Sequence, residues 1–438
     1  MSPKKETKVM GFLPDDTPPV WKLIFFALQQ MVVMFPATVM VALLTGFHVS
    51  TTIFASGLAT LGFVLVTKGR IPLYYGSSFS YIAAIVGITG VQQGQIAPDF
   101  LISQAQCGII ASGLVSIIAG IIINQFGREK IEKVLPPTIT GSVAIVIGIS
   151  LAGSAMTGAA SNWTAALITL LATILFSVYL RGTLGQLPIL FGILVGYVSA
   201  WALGIIDFSN ITSAPIFAAP HFTFPVWSWG AIVAIMPIAI ATIPESTAHL
   251  YQIDLYVNNL AKKLGSKKEY SIAGLLGMNL IGDGLADMIA GAIGGPAGTN
   301  YGENNSVMAI TKNFSVPVIM LAAVFAIVLS FFGKLAGAVS SVPGAVINGA
   351  SIYLFGVIGV QGVAIMFSEK VDLFSAKSLA IIATILVIGI GGSFGFPNGM
   401  IPFYGAKLPA IATAAVFGIL LNLVFLIFPV EQGNTVKA

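Results

Sequence analysis

The chain has 438 residues, 56% of them hydrophobic and only 8% charged, with a mean hydropathy of +0.95. A soluble globule cannot bury that apolar fraction, so the composition points to a polytopic membrane protein. The net charge is +4, yet the basic residues sit in short loops, which speaks for membrane orientation and against a nucleic-acid partner; the single cysteine, Cys107, excludes an intrachain disulfide and a thiolate metal site.

Residues 1–19 are polar and Pro-bearing, with no small-residue cleavage site before the first long apolar run, and read as a cytoplasmic tail. Apolar runs of the roughly 20 residues that a bilayer core requires follow at about 20–44, 51–67, 101–124, 134–153, 162–180, 187–206, 228–249, 271–293, 316–332, 335–358, 376–393 and 405–429. Two further segments, at about 73–91 and 297–312, are too rich in Gly, Ser, Asn and Tyr for ordinary spanning helices, yet they fall where a crossing is needed. Counting both gives fourteen. The longest polar stretch, about 254–270, is too short for a soluble domain.

Charge supports this count. With fourteen crossings and a cytoplasmic N-terminus, all of the 20 basic residues except Lys334 and Lys407 fall on the cytoplasmic side. Dropping either odd segment scatters them over both faces.

The odd segments also resemble each other. YGSSFSYIAA starts at Tyr75 and YGENNSVMAI at Tyr301, and each is the third crossing of its half. Seven is odd, so the second half enters from the opposite face and the repeats are inverted. Interrupted segments at matching positions of inverted halves are the best sequence pointer to a transporter binding site. Lipid cannot satisfy their free N–H and C=O groups, so two short extended pieces meeting at mid-membrane would pair and offer spare amides to a ligand. Gly76, Gly302 and the Gly294-Gly295-Pro296 turn suit that geometry.

Ionisable side chains inside such segments are costly and mark substrate or proton paths. Glu245 and His249 stand four apart on an apolar helix, share a face with Gln252 and form a candidate proton relay. Pro244 should open the helix and free a carbonyl beside them. Glu303 lies in the second broken segment among Asn300, Asn304 and Asn305, where it can accept ring N–H groups from a ligand or cap a helix starting at Asn304. Phe79, in the counterpart segment, can stack on a flat ligand. Asp283 and Asp287 form another pair four apart; Asp287 reads as structural, and Asp283 as either structural or part of the relay. Gln29 and Gln30 line the cavity or pack helices. His48 and His221 fall in predicted external loops, so no metal cluster is expected.

Several stretches resemble the nucleobase–ascorbate transporter family (nucleobase:cation symporter-2), most closely its bacterial uracil permeases. They are FPATV at 35–39, GRIPLYYGSSFSYI at 69–82, LPPTITG at 135–141, ESTAHL at 245–250 and TNYGENNSVMAITK at 299–312. The last holds the family signature as Glu303, Asn304, Thr311 and Lys312, and glutamate at its first position resembles the pyrimidine branch. Two features depart from the family: Ser306 stands where the signature has glycine, and Pro244, Ser246 and Thr247 replace a more His-containing run.

The resemblance implies an all-α polytopic fold of 14 transmembrane segments in two inverted seven-segment repeats, with short antiparallel strands in segments 3 and 10. It implies a core domain (20–125 and 225–333) sliding against a gate domain (126–210 and 334–430), with 431–438 a second cytoplasmic tail. Carried over, it places the ligand among Phe79, Glu245, Tyr301, Gly302 and Glu303, with His249, Glu245 and Asp283 as the proton-coupling candidates. The expected function is proton-coupled import of uracil or a close base through the inner membrane by an elevator-type mechanism. A xanthine or purine carrier, or an anion carrier, is the alternative within the fold; a membrane enzyme or a channel is the alternative outside it. No metal, no cofactor beyond the coupling proton and no nucleic acid are expected. The expected partners are a small-molecule nucleobase, the lipid bilayer and a second copy in a homodimer through the gate domain. No phosphate-binding Gly-Lys-Ser/Thr loop is present to suggest ATP-driven pumping.

Overall fold

The computed structural model describes residues 11–91, 94–127, 133–403 and 406–428. The tail expected at 431–438, most of the one at 1–19, and Lys4, Lys5, Lys8, Arg128, Lys130 and Lys437 of the charge pattern lie outside them.

In the first half, α1 (Val20–Thr45) ends at Gly46, whose φ of 80° suits glycine, and α2 (Val49–Val66) follows. The chain then runs extended through β1 (Tyr75–Ser77), takes one 3-10 turn at Phe79–Tyr81 and becomes helical as α3 (Ile82–Thr89). Next come α4 (Asp99–Phe126), α5 (Pro137–Ser150), α6 (Ala152–Ala159), α7 (Trp163–Tyr179), α8 (Pro188–Ala202) and the short α9 (Ser209–Ser213).

The second half opens with α10 (Trp229–Ile235) and α11 (Ala239–Lys263) and continues through α12 (Leu276–Ile293), β2 (Gly298–Asn300), α13 (Gly302–Thr311) and α14 (Val316–Leu329). It closes with α15 (Gly333–Ser340), α16 (Gly344–Ser368), α17 (Ala376–Leu386), α18 (Gly392–Gly395), a hairpin of β3 (Met400–Phe403) with β4 (Ala406–Pro409), and α19 (Ala410–Ile427). Nine helical stretches among the described residues are long and apolar enough to cross a bilayer, and four shorter apolar helices accompany them.

Some boundaries differ from the sequence reading. The polar stretch from residue 254 is not all loop: α11 runs on to Lys263, because Ile253, Val257, Leu260 and Ala261 recur at helical spacing and are buried. α11 also passes unbroken through Pro244. The run expected at 335–358 is two helices, α15 and α16, because Pro343 cannot continue a helix and instead starts the second one. The β3–β4 hairpin was not anticipated.

Lipid exposure leaves a clear mark. All five tryptophans (Trp21, Trp163, Trp201, Trp227 and Trp229) lie at or beside helix ends, at least 42% exposed, as rings at a membrane–water interface do. Lys334, one of the two exceptions to the charge pattern, donates to the carbonyls of Ile211 (2.7 Å) and Thr212 (3.2 Å) at the end of α9. The cation thus caps the carbonyl end of that short helix. The described part of the N-terminal segment is docked: Phe12 N–H donates to Lys312 O (2.9 Å), Phe314 N–H to Phe12 O (2.8 Å), and Lys268 pairs with Asp15.

Glycines let the helices touch. On α4 and α12, a Cβ at Gly113 would stand 2.4 Å from Gly284 O, and one at Gly284 would stand 2.2 Å from Gly113 O; Gly120 and Gly277, two turns away, repeat the contact. On α5 and α16, Gly141 and Gly362 meet in the same way, and a Cβ at Gly148 would stand 2.4 Å from Gly359 N. Gly284→Ala should therefore overpack α4 against α12 and destabilise by about 1–3 kcal/mol. Gly356→Ala on α16, where a Cβ meets nothing within 4 Å, should not. Thermal unfolding of the two variants in detergent measures the difference; equal midpoints would show that the helix approach is not the constraint.

Candidate functional site

β1 and β2 pair antiparallel in the register Tyr75↔Asn300, Gly76↔Thr299 and Ser77↔Gly298. Three-residue strands make few ladder bonds, so their remaining polar groups need other partners inside the protein. Ser56 Oγ donates to Tyr75 O (2.8 Å), and Tyr75 N–H donates to Thr60 Oγ1 (3.1 Å), both from α2. Asp287 on α12 accepts from Gly298 N–H (2.8 Å) and from the Tyr75 hydroxyl. Tyr301 N–H donates to Tyr74 O (3.0 Å), and the Tyr301 hydroxyl donates to Ser77 O (3.0 Å) and meets Thr38 Oγ1 on α1. Gly76 is required here, because a Cβ would lie 2.3 Å from the Tyr301 ring.

Each strand leads directly into a helix. The Phe79–Tyr81 turn with α3, and α13 starting at Gly302, therefore present their first N–H groups, which have no intrahelical partner, beside the strand pair. Both beginnings border a cavity of about 710 Å³. Phe79, Ser80, Glu245, His249, Gly302 and Glu303 line it on one side, and Thr140, Ser177, Tyr353 and Gln361, from α5, α7 and α16, line it on the other.

The proposed ligand residues, Phe79, Glu245, Tyr301, Gly302 and Glu303, all reach this cavity. Glu245, half-buried on α11, accepts a long 3.4 Å bond from Ser80 Oγ. One turn further on, His249 lies against Gly302, where a Cβ would be 2.8 Å from Nε2. Its backbone carbonyl accepts from Asn305 Nδ2 (3.2 Å). Its Nδ1 is buried with no hydrogen-bond partner among the described residues. Glu303 stands in the first turn of α13, where a carboxylate complements the helix dipole. It is not the cap of a helix starting at Asn304, because the helix begins earlier, after Tyr301. Tyr301 is 4% exposed with hydroxyl and amide both engaged, so it braces the strands more than it faces the void.

Asp283 does not line the cavity. It lies behind it, accepting from Ser246 Oγ and from Asn300 Nδ2 (3.3 Å), while Asn279 and Asn300 also donate to Ser246 Oγ at 2.6 and 3.1 Å. Asp287 belongs to the strand frame. Gln29 and Gln30 are also absent from the wall: Gln29 donates to Thr183, and Gln30 accepts from Asn304 Nδ2 at 2.7 Å through its side chain and 3.0 Å through its carbonyl. Sequence reasoning missed the facing wall, Tyr353 and Gln361 above all, and the hub role of Ser246. Nothing local distinguishes these residues, since each matters only through partners far along the chain.

A permease-family profile matches residues 21–398. Over 427 residues the chain is 38% identical to a uracil permease of Bacillus caldolyticus, covering 93% of each chain. It is 35% identical to a uracil permease of Bacillus subtilis, covering 96% of each, and 36% identical to a putative pyrimidine permease of Escherichia coli, covering 93% of this chain and 90% of that one. The chain belongs to the nucleobase:cation symporter-2 permease family. It is a multi-pass membrane transporter and not an enzyme. Its fold is shared with more distant transporters. The anion transporter SLC26A9 superposes with a TM-score of 0.64 at 11% identity, over 95% of this chain and 66% of that one. The membrane domain of the cyanobacterial bicarbonate transporter BicA gives 0.58 at 12% identity, over 92% and 96%.

The hub at Ser246 makes a direct prediction. Ser246→Ala strands Asp283, Asn279 and Asn300 without their shared hydroxyl and should cost about 1–3 kcal/mol. Thr247→Ala removes only a bond to Ile243 O on the same helix and should cost much less. Thermal midpoints of the two purified variants provide the check; a larger fall for Thr247→Ala would contradict the network.

Proposed function

We propose that this nucleobase permease imports uracil, or a pyrimidine with the same edge, by proton symport. One observation carries the reading: two carboxylates, an aromatic face and two helix beginnings converge on a single cavity between two groups of helices. Uracil presents alternating N–H donors and C=O acceptors on a flat ring. The carboxylates of Glu245 and Glu303 accept from the ring N–H groups, and the N–H groups of Phe79, Gly302 and Glu303 donate to the carbonyls, since that of Ser80 is taken by Ser78 Oγ (3.2 Å). Phe79 covers a face of the ring. The names of the relatives, uracil permeases at 35–38% identity over nearly the whole chain, favour this base over purines.

Proton coupling is assigned to Glu245 and His249 on the cavity wall, with Asp283 behind them, reached through Ser246, the residue that follows Glu245. The helices fall into a core (crossings 1–4 and 8–11) and a gate (5–7 and 12–14), fourteen crossings in two inverted sets of seven. The substrate cavity is walled by both groups, as a site carried by one group past the other must be. Movement of the loaded core past the gate then exposes the base to the other face. We place both termini in the cytoplasm, the chain in the inner membrane, and a dimer contact on the gate.

The test is uptake of labelled uracil into proteoliposomes. Glu245→Gln and Glu303→Gln each remove a charged acceptor and should weaken uracil binding by about 10–100-fold. A variant that binds like the parent removes that residue from the site. Collapse of an imposed proton gradient should abolish concentrative uptake, and unchanged uptake would end the coupling proposal. In competition, pyrimidines should displace the label, while purines and bicarbonate should not.

A further inference from the structure

Two of the chain's three histidines, remote in sequence, converge on one carboxylate at the face opposite the start of α1. His48 immediately precedes α2, Asp99 opens α4, and His221 lies in the connection from α9 to α10. His221 Nε2 stands 2.8 Å from Asp99 Oδ2, and His48 Nε2 stands 3.3 Å from Asp99 Oδ1. The two imidazole centroids are 4.3 Å apart, and one ligand atom from each of the three residues lies within 4.8 Å of the others. Tetrahedral zinc with nitrogen and oxygen ligands at about 2.0–2.2 Å holds those atoms about 3.3–3.6 Å apart, so small side-chain rotations suffice to admit an ion. Two imidazoles and a carboxylate are the donor set of a borderline metal, and three protein ligands leave a fourth position for water.

The backbones carrying these ligands are already held. Thr51 Oγ1 donates to His221 O (2.6 Å), and Thr52 donates to His48 O through both N–H and Oγ1 (each 2.9 Å). On the other flank of His221, Gln106 Nε2 donates to Thr223 O (2.9 Å) and Val226 N–H to Ser103 O (2.9 Å). The Asp99 and His221 side chains are 57% and 53% exposed, so an ion enters from water without unfolding.

We propose that His48, Asp99 and His221 form a binding site for a divalent transition-metal ion of the zinc class, clasping the α9–α10 connection onto α2 and α4. The sequence reading expected no metal cluster, because His48 and His221 fall in separate loops that only the fold brings together at Asp99. The competing account is a hydrogen-bond clamp in which both imidazoles donate to Asp99.

Metal binding alone separates the two accounts. Full-length protein in detergent, stripped with a chelator, is titrated with zinc chloride by calorimetry and by thermal unfolding. The proposal expects one zinc ion per chain and a raised unfolding midpoint. It expects His221→Gln and Asp99→Asn to weaken binding by roughly tenfold or more, by analogy with the loss from disturbing a metal site. It also expects no comparable response to magnesium or calcium, which favour all-oxygen sites. A cooperative metal-free unfolding transition in each variant verifies its fold. Zinc binding no better than in a variant lacking all three side chains, binding undiminished in His221→Gln, or equal binding of calcium would each overturn the proposal.

Discussion

Backbone amides inside a bilayer have no water to bond with, and this constraint shapes everything around β1 and β2. Two strands of three residues cannot satisfy each other fully. The protein surrounds them with Ser56, Thr60, Asp287, Tyr301 and Thr38, drawn from four separate stretches of chain. Once the strands are held, the helices that follow start beside the cavity, and the first N–H groups of α13 lack an intrahelical partner there. Binding groups thus arise from the same break in the helices that made the bracing necessary.

The bracing also sorts the acids. Asp287 is committed to the strands, and Asp283 to Ser246 and Asn300. Glu303 is stationed at a helix beginning, and Glu245 keeps only a long contact with Ser80, so both have acceptor capacity for a ligand. Close glycine contacts between α4 and α12, and again between α5 and α16, leave each pair little room to shift internally.

Much of this was legible in the sequence because lipid makes strong local demands. Apolar runs of spanning length, basic loops and carboxylates in apolar surroundings each carry a signal within a few residues. The broken segments were visible from Gly, Ser and Asn where an apolar run was due. The two matched tyrosines sit differently, however: Tyr75 opens β1, whereas β2 ends at Asn300 and Tyr301 stands at the N-cap position of α13. Which residues pair is set by the hydrogen-bonded register, and pairing partners across the chain are not written locally. The same holds for Gln30 with Asn304, for Lys334 capping α9, and for the two histidines that meet at Asp99. Each depends on tertiary proximity that periodicity does not encode.

The central claim is that Glu245 and Glu303 grip one flat base against Phe79 at the paired strands. A cryo-electron microscopy map of the full-length protein with uracil tests it most directly. The account predicts planar density stacked on Phe79, with its polar edge within hydrogen-bonding distance of both carboxylates and of the amides that open α13. Density elsewhere, or Glu245 and Glu303 turned into separate spaces with no ring between them, would contradict it.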